Sequence, residues 1–81
     1  MLKIHPAARR HGISGADIEH VVRHAMVIDE LEESKLLHLG PGCDASLLEV
    51  VTISRGHNSA MAIHAMKMRP KYRRLFLGGK A

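Results

Sequence analysis

Between Ile63 and Phe76 the chain reads Ile-His-Ala-Met-Lys-Met-Arg-Pro-Lys-Tyr-Arg-Arg-Leu-Phe, so a histidine interrupts an apolar run just before a cluster of cations around the only tyrosine. Those residue types suit phosphoryl chemistry. His64 is either a half-buried histidine hydrogen-bonded to a neighbouring strand or one that projects into the same cleft as the cations, where an imidazole, titrating near neutrality, can exchange a proton with a ribose hydroxyl or a leaving oxygen. Arg69 and Lys71 then stabilise the charge that develops on a phosphorane, and Tyr72 orients or stacks on the nucleic acid. Lys67, Arg73 and Arg74 extend the same surface as phosphate-binding cations. From Arg55 to Ala81 there are seven Lys or Arg and no acid, whereas all eight acids lie between Asp17 and Glu49. The formal net charge of +4 therefore understates the local field at the C-terminal end, which has the composition of a phosphate-holding surface.

Other constellations carry less. His20 and His24 stand four residues apart on one helix face, which is a metal-ligand spacing, but no HExxH pattern or third ligand accompanies them, and no metal is expected. Gly40-Pro41-Gly42 reads as a turn, and no phosphate-binding or dinucleotide fingerprint is present, so no cofactor is expected. Ser54 and Ser59 lack an evident His and Asp arrangement. Tyr72 and Phe76 are the only two aromatic residues, too few for an RRM or OB-type stacking platform. Cys43 is alone, which excludes an intrachain disulfide. No signal-like segment or span of ~20 apolar residues is seen, so the expected compartment is the cytoplasm.

Eighty-one residues fit one small domain, 1–81. Ala7 to His11 reads as one or two helical turns closed by Gly12. Ser14 with Asp17 resembles a capping box, after which Ile18, Val21, Val22 and Ala25 recur at helical spacing. The period then changes. Met26 to Ile28, Lys35 to Leu39, Leu47 to Ile53 and Ala60 to Met66 are short apolar or β-branched runs. Turns at Glu30 to Ser34, Gly40 to Asp44 and Arg55 to Ser59 join them. Leu47 to Ile53 is apolar on both faces except at Glu49 and Thr52 and should be central. Strict alternation over the last run puts Met61, Ile63 and Ala65 on one face and Ala62, His64 and Met66 on the other. Arg69 to Leu77 starts a short helix with Pro70 in its first turn, and Gly78 to Ala81 should fray. The expected fold is α+β: N-terminal helices, then a twisted antiparallel sheet of about four strands, then a short C-terminal helix.

Arg10-His11-Gly12-Ile13-Ser14, followed by an acid-bearing helix, resembles the lysine-histidine-glycine-valine-serine segment near the start of BrnT toxins, small members of the RelE-like ribonuclease superfamily. Leu47 to Ile53 resembles that family's hydrophobic strand. Ile63-His64-Ala65-Met66-Lys67 and Arg73-Arg74-Leu75-Phe76 resemble its last strand and terminal arginine-arginine-leucine-tyrosine helix. The chain departs from the family at His64 and Met66, where the family carries serine and arginine, and at Tyr72, where it carries an acid. The strand arginine is thus missing, and Arg69 or Lys71 would supply charge instead. The resemblance implies a toxin of a type II toxin–antitoxin pair that cleaves RNA without a metal, with His64 or His11 as acid or base and Arg10 near the phosphate. It implies a cognate antitoxin protein as partner, RNA as substrate, and operator DNA contact only through the antitoxin complex. The rival expectation is a noncatalytic nucleic-acid-binding or protein-interaction module of the same fold.

Overall fold

The computed structural model describes residues 2–56 and 59–76. Leu2–Ile4 forms strand β1, followed by a 3-10 turn at Pro6–Arg9 and helix α1 at Gly15–His24. Strands β2 (Val27–Glu30), β3 (Lys35–Pro41), β4 (Leu47–Ser54) and β5 (Ala60–Lys67) come next. A second 3-10 turn, Pro70–Tyr72, leads into the one-turn helix α2, Arg73–Phe76. Leu77, the expected fraying end at Gly78 to Ala81, and His57 and Asn58 of the last turn lie outside the described residues.

The α+β expectation is overturned in three respects. A strand, not a helix, comes first, and α1 follows it. The sheet has five strands, in the order β1-β5-β4-β3-β2. Its β1 runs parallel to β5 while the other neighbours are antiparallel, so the fold is mixed α/β. β1 is only three residues long and has no partner adjacent in sequence; its pairing of Leu2 with Ala60 and Ile4 with Ala62 is entirely long-range. Ala7 to His11 does not become a regular helix either. Pro6 opens a 3-10 turn, the His5 ring accepts the Ala7 N–H at 3.0 Å, and Gly12 leaves the turn at φ 80°.

Helix α1 starts where Ser14 Oγ accepts the Asp17 N–H at 3.1 Å. Asp is one methylene shorter than the Glu of a full capping box, and its carboxylate instead accepts the Cys43 N–H at 2.7 Å, tying the helix to the turn after β3. That backbone hydrogen bond is the main reason the Asp17 carboxyl lies below its ordinary value. A Cβ at Gly42 would sit 2.9 Å from Leu48 Cδ1 and 3.1 Å from Asp17 Oδ1, so a side chain there requires those groups to shift. Nearby, Ala45 is held at φ 73°, a left-handed conformation that costs an L-residue about 1–2 kcal/mol. Ala45→Gly is therefore expected to raise stability by about 0.5–1 kcal/mol, the relief being partly offset by the looser unfolded chain, and a urea midpoint that falls would contradict it.

The helix-facing side of the sheet carries the core: Ile18 and Val21 of α1 with Ala8, Leu48, Val50, Ala62 and Ala65. Below α1 the same face buries His38, whose Nε2 is 2.9 Å from Thr52 Oγ1; burial pushes its pKa down. β4 is the central strand. Leu37 and Leu39, also buried, pair with Val51 and Glu49 on the opposite face, outside that cluster.

The alternation expected for β5 fails at one residue. Val51 pairs with His64 but the next β4 residue, Thr52, pairs with Ala62, so Ile63 is the extra residue of a β-bulge. Beyond the bulge the parity inverts. Ala62 and Ala65 both enter the helix-side core, and His64 and Met66 turn to the face that carries Val51 and Glu49. The bulge is what brings His64 onto the same face as Glu49.

Candidate functional site

Glu49 is fully buried, and its carboxylate is the centre of the site. His64 Nε2 lies 2.8 Å from its Oε2. β5 ends at Lys67; Met68 N still donates to Leu47 O at 3.1 Å, and Pro70 then opens the second 3-10 turn. Between those two fixed points Arg69 folds back over the carboxylate. Its backbone N–H donates to Oε1 at 3.0 Å, its Nε to both oxygens at 3.1 Å, and its Nη2 to Oε2 at 2.6 Å. One acid thus holds a histidine and an arginine from either side of a strand end.

The electrostatics follow from that crowding. Burial is the largest single influence on Glu49 and pushes its pKa up, but the hydrogen bonds from the Arg69 side chain and backbone and from His64, with the Arg69 charge, outweigh it. The carboxyl therefore lies below its ordinary value. The same hydrogen bond to Glu49 pushes the Arg69 guanidinium up. The Arg69 side chain is 41% exposed and that of His64 30%, so both reach solvent from a carboxylate that does not.

Tyr72 joins through its neighbours: Arg69 Cζ stands 5.7 Å and Lys71 Nζ 5.1 Å from its ring centroid. The first 3-10 turn packs on β5 and delivers His11, whose ring centroid is 6.0 Å from that of His64 in an edge-on arrangement. Arg10, beside it, is exposed. The structure therefore gathers His64, His11, Arg69, Lys71 and Tyr72. Lys67 separates from them, because it pairs with core-facing Leu48 and so projects from the other face of the sheet than His64. Arg73 and Arg74 are exposed on α2. His20 is engaged elsewhere, with Nδ1 2.8 Å from Pro41 O, and its ring lies 4.6 Å from that of His24.

Glu49 is the residue that sequence reasoning passed over. It was visible only as an acid interrupting an apolar strand, yet an acid at a central-strand position must either be neutralised or find a cation. The cations nearest along the sheet are those that follow β5. Arg69 also differs from its sequence reading as a free phosphate-binding cation, since Nε and Nη2 are committed to Glu49. Comparison of the chain with protein-family models, with curated proteins and with solved structures finds no match. No helix among the described residues is long and apolar enough to cross a membrane.

Proposed function

We propose that the chain is a metal-independent endoribonuclease acting as the toxin of a type II toxin–antitoxin pair, as the resemblance to BrnT toxins implies. The observation that carries the chemistry is the Glu49-held His64 with a second imidazole, His11, 6.0 Å away. An ionised carboxylate only accepts hydrogen bonds, so Glu49 fixes the proton of neutral His64 on Nε2 and leaves Nδ1 as the basic atom. His64 Nδ1 removes the proton of a ribose 2′-hydroxyl. The resulting alkoxide attacks the adjacent phosphorus, the bond to the 5′-oxygen breaks, and His11 in its protonated form gives that oxygen a proton. The products are a 2′,3′-cyclic phosphate and a 5′-hydroxyl. Arg69, Lys71 and Arg10 offset the charge on the phosphorane, while Tyr72 stacks on or orients a base.

The test is cleavage of single-stranded RNA in buffer containing a metal chelator, with end-group analysis. Cyclic phosphate termini are the expected result, together with growth arrest on expression without the antitoxin. Intact RNA with folded protein, and harmless high-level expression, would remove the proposal. The noncatalytic reading has one observation in its favour, the commitment of Arg69 to Glu49, and the same assay separates the two. Binding is checked independently. Exchanging Lys71, Arg73 and Arg74 for glutamine should lower RNA affinity and make its log–log salt slope shallower by about 2 for single-stranded RNA, because roughly 0.7 counterion is released per phosphate contact. An unchanged slope would place the RNA on another surface.

A further inference from the structure

The opposite edge of the sheet from β1 is β2, and no strand among the described residues pairs with its outer side. Leu31 N donates to Lys35 O at 2.8 Å, so the pair Leu31 and Lys35 is a hydrogen-bonded one. Antiparallel alternation then makes Asp29 with Leu37 and Val27 with Leu39 the other hydrogen-bonded pairs. The N–H and C=O groups of Ile28 and Glu30 consequently point away from the sheet. Ile28, Asp29 and Glu30 are all exposed. Large apolar side chains accompany this edge: Met26 is 66% exposed, Ile28 57% and Leu31 38%. The strand and its hairpin turn also carry Asp29, Glu30, Glu32 and Glu33 and no Lys or Arg; the next cation is Lys35, the first residue of β3.

We infer that the β2 edge is a docking strand for a partner protein that offers an extended segment with alternating basic and apolar residues, which adds to the sheet as a sixth strand. The two outward residues supply main-chain hydrogen bonds, Met26 and Ile28 supply apolar contact on one side of the added strand, and the acids select its charge. β2 is only four residues long and carries Asp29 and Glu30, which blunt an edge against unselective pairing, but it also leaves Met26 and Ile28 in the open, so the edge selects its partner by charge rather than excluding every strand. The charge also decides between occupants. A second copy paired antiparallel through β2 would bring Asp29 and Glu30 of one strand beside Asp29 and Glu30 of the other, and like charges brought together across strands destabilise. Nucleic acid is repelled by the same acids and drawn to the far end of the chain. The inference stands whether or not the chain cleaves RNA.

The probe is a synthetic peptide of alternating lysine and valine, nine residues long by design, with an alternating glutamate and valine peptide as control. Binding is followed by amide hydrogen exchange and chemical shifts in the full chain. The basic peptide should slow exchange at the Ile28 and Glu30 amides by about tenfold or more, and the acidic peptide should not. Ile28→Pro removes an outward N–H without taking a hydrogen bond from the sheet, and should abolish that protection while the β3 and β4 amides stay protected. Asp29→Lys with Glu30→Lys, a variant that keeps the edge backbone, should lose the basic peptide and gain the acidic one. Equal binding of both peptides, binding unaffected by Ile28→Pro, peptide shifts confined to other strands, or a dimer through β2 in the absence of peptide would each overturn the inference.

Discussion

His64→Ala is expected to lower RNA cleavage by about a hundredfold or more while changing RNA affinity little, since it removes a proton acceptor rather than a cation. The loss should appear in kcat rather than in KM. His11→Ala is the necessary companion. If the two imidazoles divide the proton transfers as proposed, each single variant loses the greater part of the rate and the double variant loses little more, because residues that act as one unit are not additive. The pH profile supplies the assignment. With His64 as base and His11 as acid, the wild-type rate is bell-shaped; His64→Ala should lose the acidic limb, leaving a rate that only falls as pH rises, and His11→Ala should lose the alkaline limb. Glu49→Gln offers a subtler check. Its amide keeps the shape but can present an N–H to His64 Nε2, which favours the opposite tautomer and puts the proton on Nδ1, where the base is needed. Near-normal turnover in His64→Ala with a large loss in His11→Ala would move the role of base to His11. Normal turnover in both would leave histidine acid–base chemistry without support.

Much of the architecture was legible because it rests on local pattern. The β-branched and apolar runs at Lys35 to Leu39, Leu47 to Ile53 and Ala60 to Met66 mark three strands, and the absence of a polar face marks β4 as central. What the sequence concealed depends on long-range pairing. β1 has three residues, fewer than a period-2 pattern needs to declare itself, and its partner is more than fifty residues away. The bulge at Ile63 has no glycine or other local signature, so alternation ran through it and the faces assigned to Ala62 and Ala65 came out opposed although both are buried. The site divided in the same way. The basic residues and His64 announced themselves by type, whereas Glu49, which organises them, is a single acid in a hydrophobic strand and becomes meaningful only once β4 and β5 are in register.

Arg69→Ala is expected to destabilise the fold more than Glu49→Gln does, although both break the same ion pair. Glu49 is fully buried and Arg69 is 41% exposed in its side chain, so the two charges differ in what happens to them when left alone. Without Glu49, Arg69 can hydrate. Without Arg69, the carboxylate keeps only the residue-69 backbone N–H and His64 on a side that Arg69 had covered; breaking a fully buried pair costs about 3–5 kcal/mol, and the partial exposure of Arg69 lowers the cost here below that range. The wild-type pH dependence has a defined sign. The Glu49 carboxyl is depressed below its ordinary 4.5 in the fold, so its contribution is fully present above that value and is lost as pH falls through the depressed one. In Arg69→Ala burial prevails and the carboxyl rises, so this variant instead loses stability as pH climbs from acid toward neutrality. The difference in unfolding free energy between wild type and Arg69→Ala should therefore widen between about pH 4 and pH 7. For Glu49→Gln the corresponding difference should shrink as pH falls, because protonation makes the wild-type side chain resemble the amide. Urea titrations of the three proteins at both pH values measure this directly. A gap for Arg69→Ala that stays constant with pH, or a cost below that of Glu49→Gln, would mean that the Glu49 carboxylate is neutral or hydrated without Arg69, and the organising role assigned to it would fall.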